Sequence, residues 1–333
     1  MLRRLSVAAS IAVAAACGSD PANPFGSPTR PPAADAVLLF VSGSWASATG
    51  EARELLALNA DGSKVEQLTT CAQATPACDF LQIAPSPDRA RLAAIRTTPD
   101  AAAGASALYF MDLSRGVETI LFRNRRIDSV DYSPDGSFIL YSAVAPQTDQ
   151  EDLFFSQPNG SDEQNLTQSL EFRERSPRVD PFSSTALYEG IDESGVGRIY
   201  LFAKTLLTSG PAAGAPLPDT PYVVGGDADP VFSPDGRSIA YRRLTGVGNG
   251  GLGTWDLLTL RLDGSSTPKV LATGPLFRGA PDWGSRGIVF VESDAATARS
   301  ELVLASADGT ARIVLRTEDA GYRMGSPRWL AGS

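Results

Sequence analysis

Histidine is absent from the 333 residues of this sequence. Its absence excludes Ser-His-Asp triads, histidine general bases and histidine-ligated zinc. Cysteine is nearly absent as well, with three residues at positions 17, 71 and 78. The enzyme chemistry that this composition leaves open rests on carboxylates, and we favour a binding module over an enzyme.

Basic residues are also in short supply, because 29 Lys and Arg oppose 38 Asp and Glu, for a net charge of -9. A nucleic-acid surface needs concentrated positive charge, so nucleic acid is not expected as a partner. Apolar residues make up 43% of the chain, enough for a sizeable core. The 31 glycines and 24 prolines favour many short strands joined by tight turns.

The N-terminus reads MLRRLSVAASIAVAAAC, which is typical of an export signal. Arg3 and Arg4 precede an apolar run of about a dozen residues, too short to span a bilayer but suited to a signal peptide. The small residues before Cys17 resemble a bacterial lipobox, which implies cleavage after residue 16 and a lipid on Cys17. Gly18, in place of an aspartate, favours the outer membrane. The alternative is an ordinary secretory signal with an incidental cysteine.

We predict three segments along the chain. They are a lipoprotein signal peptide at 1–16, a lipidated cysteine with a flexible tether at 17–35, and a folded body at 36–333. The tether is rich in Pro, Gly and Ala and cannot pack a core. Cys71 and Cys78 lie in a short polar stretch of the body. After export to an oxidising compartment we expect them to form a disulfide, and the alternative is two free thiols.

The folded body contains an internal repeat. Segments similar to PVFSPDGRSIAYR begin at residues 83, 130, 177, 230, 281 and 327, at intervals of 47, 47, 53, 51 and 46 residues. In the clearest copies, a Ser-Pro-Asp-Gly turn separates two apolar strands, at Ser133–Gly136 and Ser233–Gly236. Two more strands follow each turn. Four strands per repeat make one blade of a β-propeller.

The two ends of the body are incomplete repeats. Residues 36–70 hold three strands without a first strand, and residues 325–333 hold a first strand alone. Pairing of the two ends would satisfy the backbone hydrogen bonds of both. We therefore predict an all-β fold, a six-bladed β-propeller of four-stranded blades, with the ring closed by pairing of the N- and C-terminal strands.

The Ser-Pro-Asp-Gly repeats resemble the PD repeats of TolB-like propellers, which are similar to WD repeats. The resemblance covers residues 36–333 and is weakest in the last two repeats. It implies a lipid-anchored propeller of the cell envelope that binds protein, peptide or envelope ligands. Contact with the membrane would be through the lipid alone. TolB carries a further N-terminal α/β domain, for which residues 18–35 are too few.

Candidate site residues fall into two groups. First strands line the channel of a propeller, and acidic residues that converge there can bind Ca²⁺, although isolated ones would only be solvated. Trp45 and Trp255 lie near predicted loops and are candidate binding residues, whereas Trp283 and Trp329 occupy equivalent repeat positions and are expected to pack. The acidic residues of the candidate calcium site are Asp79, Asp128, Asp131, Asp227, Asp229 and Asp282.

The competing hypothesis is a carboxylate-dependent hydrolase or lactonase on the propeller, with or without assistance from Ca²⁺, because paired Asp and Glu side chains need no histidine. Two acids facing each other in a deep channel mouth would favour this enzyme. An open face rich in loops would favour the binding scaffold. The sequence singles out no catalytic residue and no other cofactor.

Overall fold

The structure is a computed structural model. The predicted signal peptide and tether, with Cys17, lie outside the residues that it describes, as do Trp45, Cys71 and Cys78. The described residues are 37–42, 53–69, 79–97, 106–113, 117–146, 148–182, 185–203, 214–217, 226–248, 253–318, 323–325 and 327–330.

The described residues form strands, and no helix among them is long and apolar enough to cross a membrane. The chain begins with β1 (Val37–Ser42), β2 (Arg53–Leu58) and β3 (Glu66–Gln67).

Four antiparallel sheets of four strands follow. Sheet 1 contains β4 (Asp79–Pro85), β5 (Arg91–Thr97), β6 (Ser106–Asp112) and β7 (Val117–Arg125). Sheet 2 contains β8 (Ile127–Tyr132), β9 (Ile139–Val144), β10 (Glu151–Ser156) and β11 (Gln164–Asn165). Sheet 3 contains β12 (Arg173–Val179), β13 (Thr185–Ile191), β14 (Gly197–Ala203) and β15 (Ala215–Pro216). Sheet 4 contains β16 (Asp227–Phe232), β17 (Ser238–Val247), β18 (Gly253–Arg261) and β19 (Lys269–Ala272).

The last strands complete sheet 5 and return to the start of the chain. Sheet 5 contains β20 (Phe277–Arg278), β21 (Asp282–Gly284), β22 (Gly287–Asp294), β23 (Arg299–Ala305) and β24 (Arg312–Glu318). The strands β25 (Arg323–Met324) and β26 (Arg328–Trp329) both pair antiparallel with β1. We call β1 to β3 with β25 and β26 the terminal sheet. It joins residues from both ends of the body.

A buried serine fixes the turn between the first two strands of a sheet. In sheet 2, the Gly136 N–H donates to the Ser133 carbonyl at 2.8 Å, and the Phe138 N–H donates to Ser133 Oγ at 3.0 Å. Gly136 has a φ of 71°, in the left-handed region that glycine adopts most readily. In sheet 4, Gly236 and Ser233 repeat the turn with a bond of 2.9 Å. The Ser-Pro-Asp-Gly motif therefore forms the predicted hairpin turn.

The core is divided into apolar clusters, each between two successive sheets. The terminal sheet packs on sheet 5 through Trp329 and Val291, and on sheet 1 through Leu55 and Phe80. Sheets packed face to face in this way are the blades of a β-propeller. The prediction of an all-β propeller with four-stranded blades is confirmed.

Trp329 fills the junction between the terminal sheet and sheet 5. The side chain is 6% exposed, and its Nε1 donates to the Gly287 carbonyl at 3.2 Å. A Cβ atom on Gly284 would lie 2.7 Å from the Trp329 ring, so glycine is required for this close approach. Trp329 has the packing role that its repeat position predicts.

Candidate functional site

The first strands of the sheets bring one set of equivalent residues to the channel. Counting from the start of each repeat, the second residue follows the order apolar, Asp, Arg, and this order occurs twice along the chain. The same types of residue therefore recur after three repeats. The six residues, in chain order, are Ala84, Asp131, Arg178, Val231, Asp282 and Arg328.

The four charged members of this set meet in an ion network that we call the charge plug. Arg178 Nη2 lies 2.5 Å from Asp282 Oδ1, and Arg328 pairs in the same way with Asp131. Longer contacts complete the set, from Arg178 Nη1 to Asp131 Oδ1 at 3.5 Å and from Arg328 Nη1 to Asp282 Oδ1 at 3.9 Å. Each arginine therefore contacts both carboxylates, and the formal charges cancel.

Backbone donors complete the environment of the two carboxylates. The Val179 N–H donates to Asp131 Oδ2 at 3.0 Å, and the Trp329 N–H donates to Asp282 Oδ2 at 2.8 Å. Burial raises the pKa of Asp131 to about 6 and also raises the pKa of Asp282, while Arg178 opposes both shifts. Asp131 is thus predominantly ionised at neutral pH. Each carboxylate joins its own sheet to the next one around the channel.

A pocket of about 260 Å³ opens above the charge plug, at the end of the channel where the Ser-Pro-Asp turns lie. Its floor is the plug and its wall is largely apolar. The pocket combines an apolar wall with a few fixed polar groups, which is the usual composition of a ligand site. We call it the channel pocket. Its wall residues are Pro85, Pro87, Tyr132, Pro134, Val179, Pro181, Val231, Phe232, Trp283 and Trp329.

A second polar layer is formed by residues that lie two positions before the channel set in the sequence. Gln82 Oε1 accepts a hydrogen bond from the Val130 N–H at 2.6 Å, and Ser176 Oγ donates to Asp229 Oδ1 at 2.7 Å. Ser176 and Asp229 have φ values of 50° and 49° and lie where the pairing of β12 and of β16 shifts register. Such bulges turn a side chain away from the regular alternation of a strand. Here they direct Ser176 and Asp229 toward each other.

The other end of the channel carries an acidic cluster in sheets 2 to 4. Burial, together with the neighbouring Asp229 and Asp128, raises the pKa of Glu189 to about 8, although Arg242 and Arg175 oppose the shift. A carboxyl group with a pKa raised in this way can keep its proton near neutral pH and act as a general acid.

The structure places most of the sequence-predicted acids beside arginines. Asp131 and Asp282 come together in the charge plug with arginines between them, and Asp128 and Asp229 lie near each other in the acidic cluster. Asp227 receives two bonds from Arg243, at 2.6 and 2.8 Å. Asp229 pairs with Arg242. In the part of the chain that the structure describes, no three Cys, Asp or Glu side chains are grouped so that they could hold a metal ion.

The remaining predicted residues are separate from the charge plug. Asp128 is the second residue of β8, and the positive charge of Arg175 acts on its carboxyl group. The side chain of Asp79 lies outside the described residues. Trp255 packs beneath the Arg242 guanidinium, 4.1 Å from the ring centre, and its carbonyl accepts a bond from Arg278. It lies at the acidic end, away from the channel pocket. Its predicted role in binding stays a prediction.

Sequence reasoning missed the two arginines of the plug. The acids were singled out because carboxylates can bind a metal ion, whereas nothing in the sequence analysis singled out Arg178 or Arg328. An alignment of the repeats at their second residue would have shown the doubled order of apolar, Asp and Arg. That signal is present in the sequence without any structure.

The chain matches no protein-family model and no curated protein. Its fold matches solved structures. TolB from Acinetobacter baumannii gives a TM-score of 0.68 at 17% identity, over 89% of this chain and 66% of that one, so the chain spans just under two thirds of its length. The fold is a TolB-like β-propeller. A TolB from Agrobacterium tumefaciens gives a TM-score of 0.61 at 19% identity, over 86% of this chain and 90% of that one. A chain of a nidogen–laminin complex gives a TM-score of 0.62 at 12% identity, over 90% of this chain and 99% of that one. The TolB-like propeller is thus shared with proteins of little sequence similarity.

We predict that the members of the charge plug depend on one another. Arg328→Met should lower the free energy of unfolding by about 3 to 5 kcal/mol, because it leaves buried carboxylates short of a counter-charge. Asp131→Ala should lower the free energy of unfolding much less in the Arg328→Met background than in the wild-type protein. The difference between the two effects is the coupling energy, which should be at least about 1 kcal/mol. Urea denaturation of the two single variants and the double variant measures this coupling.

Arg261→Met is the matched control, because Arg261 pairs with Asp263 at the surface with side chains 55% and 46% exposed. It should leave the free energy of unfolding almost unchanged, because solvent screens an exposed ion pair. Additive effects of the two plug substitutions would contradict the network.

Proposed function

We propose that the protein is a lipid-anchored binding scaffold of the cell envelope, and that a segment of a partner protein or peptide binds in the channel pocket. The observation that carries this proposal is the charge plug beneath the pocket. Because four paired side chains occupy the channel axis, a ligand of the pocket has to enter and leave by the same end. Rigid strands hold the walls while turns form the rim, a division typical of binding scaffolds.

The size and chemistry of the pocket favour a peptide segment as ligand. Its volume of about 260 Å³ is small for a cofactor or a drug-sized molecule, which occupy pockets of roughly 300 to 1,000 Å³. Trp283 and Tyr132 provide aromatic surface of the kind that dominates binding energies at protein interfaces. Phe182 follows Pro181 at the rim and is 71% exposed. An apolar or aromatic side chain of the partner would fill the channel pocket.

The location in the envelope rests on the N-terminal sequence and on the fold. The export signal and Cys17 support an exported, lipid-anchored protein. TolB structures have the same fold. Gly18 after the cysteine supports the outer membrane.

Photo-crosslinking tests the binding site. With p-benzoylphenylalanine at position 182, irradiation of cells should join the protein to a discrete envelope partner. The same residue at position 247, which is 74% exposed at the other end, should give no such product. Trp283→Ala should reduce the adduct from position 182 at least about tenfold, because loss of an aromatic hot spot costs about 2 kcal/mol or more. Trp255→Ala should leave it unchanged. Adducts from position 247 that Trp255→Ala abolishes would move the site to the acidic end.

We further infer that the six described sheets form one ring of six blades, closed by the two ends of the body. Pairing of Val37 with Trp329 and of Val41 with Met324 supports closure, since each pair joins residues about 290 positions apart in the chain. Packing of the terminal sheet on both sheet 5 and sheet 1 also supports it.

Truncation tests this closure. Deletion of residues 325–333 should lower the free energy of unfolding by at least about 3 kcal/mol, because it removes the buried Trp329 and Leu330 from the junction. Deletion of the predicted tether, residues 18–33, is the control and should change stability little. If the full chain and the C-terminal deletion melt at the same temperature, the closed ring is contradicted.

A carboxylate-dependent hydrolase is the second candidate function, and the raised pKa of Glu189 favours it. If Glu189 is a general acid, the protein should hydrolyse at least one member of a panel of aryl glycosides and lactones. Glu189→Gln should then lower kcat by roughly 100-fold or more. Glu193→Gln, an exposed turn residue, is the control. No turnover across the panel, or full activity of Glu189→Gln, would exclude this role.

A further inference from the structure

Two carboxyl groups are buried together between sheets 2 and 3. Asp152 on β10 is 1% exposed and Glu174 on β12 is 2% exposed. Three other buried acids, Glu151, Asp227 and Glu292, each have an arginine partner, as Glu151 has Arg175 at 2.6 Å. Neither Asp152 nor Glu174 has an ion pair in the described part of the chain. The pair therefore needs another source of positive charge.

Each group has a buried oxygen without a hydrogen-bond partner. Asp152 Oδ2 accepts from Asn165 Nδ2 at 2.6 Å. Asp152 Oδ1 and Glu174 Oε2 have no donor in the described part of the chain, and each carboxyl group acts on the pKa of the other. Two carboxylate oxygens repel each other unless a proton lies between them.

The surroundings favour a proton on Glu174. Burial and the negative charge of Asp152 together raise its pKa to about 8. Burial raises the pKa of Asp152 too. The other titratable groups facing Glu174 are Tyr188 on β13 and Tyr200 on β14, and burial raises both of their pKa values, so they carry no charge at neutral pH. Glu174 is then protonated and donates to Asp152.

The pair holds the connector between the two sheets, residues 166–172. Asn165 links Asp152 to the connector, because its Nδ2 donates to Asp152 Oδ2 at 2.6 Å and its Oδ1 accepts the N–H groups of Thr167 and Gln168 at 3.3 and 3.4 Å. Within the connector, the Ser169 hydroxyl accepts the N–H groups of Glu171 and Phe172 at 3.3 and 3.2 Å. Phe172 packs on Tyr200 with ring centres 5.5 Å apart. The connector is thus hydrogen-bonded to the acid pair through Asn165.

We propose that the proton shared by Asp152 and Glu174 is a pH-sensitive latch, which keeps the connector closed and releases Phe172 when it is lost. Release exposes apolar surface beside Leu170, which is already 70% exposed, at the end of the propeller opposite the channel pocket. The latch is independent of the ligand proposed for that pocket.

The direction of the pH effect follows from the two pKa values of Glu174, about 8 when closed and 4.5, the ordinary value, when open. Below the ordinary value both forms hold the proton and pH has no effect. Between the two values the open form has lost the proton and the closed form keeps it. The open fraction therefore rises about tenfold per pH unit. Above the closed-form pKa both forms are ionised and the fraction is constant.

Hydrogen exchange of the peptide 166–173 between pH 6 and 9 tests the latch, with the full chain and its Glu174→Gln variant. Glutamine keeps a permanent donor toward Asp152 and cannot ionise. The ratio of wild-type to variant exchange rates, which cancels the intrinsic effect of pH, should rise about tenfold per unit up to pH 8 and then level. Glu171→Gln, an exposed acid of the same connector, is the control and should behave as wild type.

The outcomes separate the latch from its alternatives. A ratio independent of pH overturns the proposal. The same exchange is measured in about 1 mM CaCl₂, a concentration that fills weak calcium sites. If calcium protects the wild-type connector and does not protect Glu174→Gln, a cation and not a proton joins the acids, which also overturns the proposal. If Glu174→Gln does not fold, Asp152→Asn supplies the donor from the other side, and its connector should likewise exchange at a rate that follows intrinsic chemistry alone.

Discussion

The charge plug is the interaction on which the arrangement of the channel depends. Two carboxylates and two guanidinium groups lie where the first strands converge, and each is expensive to bury alone. Their contacts run across the channel, from Arg178 to Asp282 and from Arg328 to Asp131, so they become favourable only when the sheets surround an axis. The plug therefore links the side-chain chemistry of single strands to the assembly of the whole molecule. It also gives the channel pocket its floor.

The fold could be predicted from the sequence because its signals are local. The Ser-Pro-Asp-Gly turn needs only the side chain of Ser133, the fixed φ of proline and a positive φ at Gly136, all within a few residues. The repeat interval then shows how often the unit recurs. The charge plug is different, because Arg328 and Asp131 are 197 residues apart. Their contact depends on the position of each strand around the axis, which no local pattern contains.

The treatment of acidic residues shows the same limit. The sequence predicted that these acids precede first strands, whereas in the structure Asp227 and Asp282 begin strands and Asp229 lies inside β16. It did not indicate which cation would meet them. The answer depends on the strand that lies opposite, and arginines from the second strand or from across the channel fill that place. Glu174 and Asp152 were overlooked altogether, since neither belongs to a motif and their meeting depends on how sheet 2 packs on sheet 3.

Buried acids are thus neutralised in two ways in this propeller, and strand β12 carries both. Glu174 lies near one end of the strand in the carboxyl pair, while the Val179 N–H at the other end binds Asp131 of the charge plug. Between them the pairing of β12 shifts register from Arg175 to Arg178, with Ser176 at a φ of 50°. A bulge interrupts the regular ladder and can bend without moving the strand beyond it. Opening of the connector is therefore compatible with an intact plug, so a change of pH can alter one end of the propeller while the channel pocket keeps its shape.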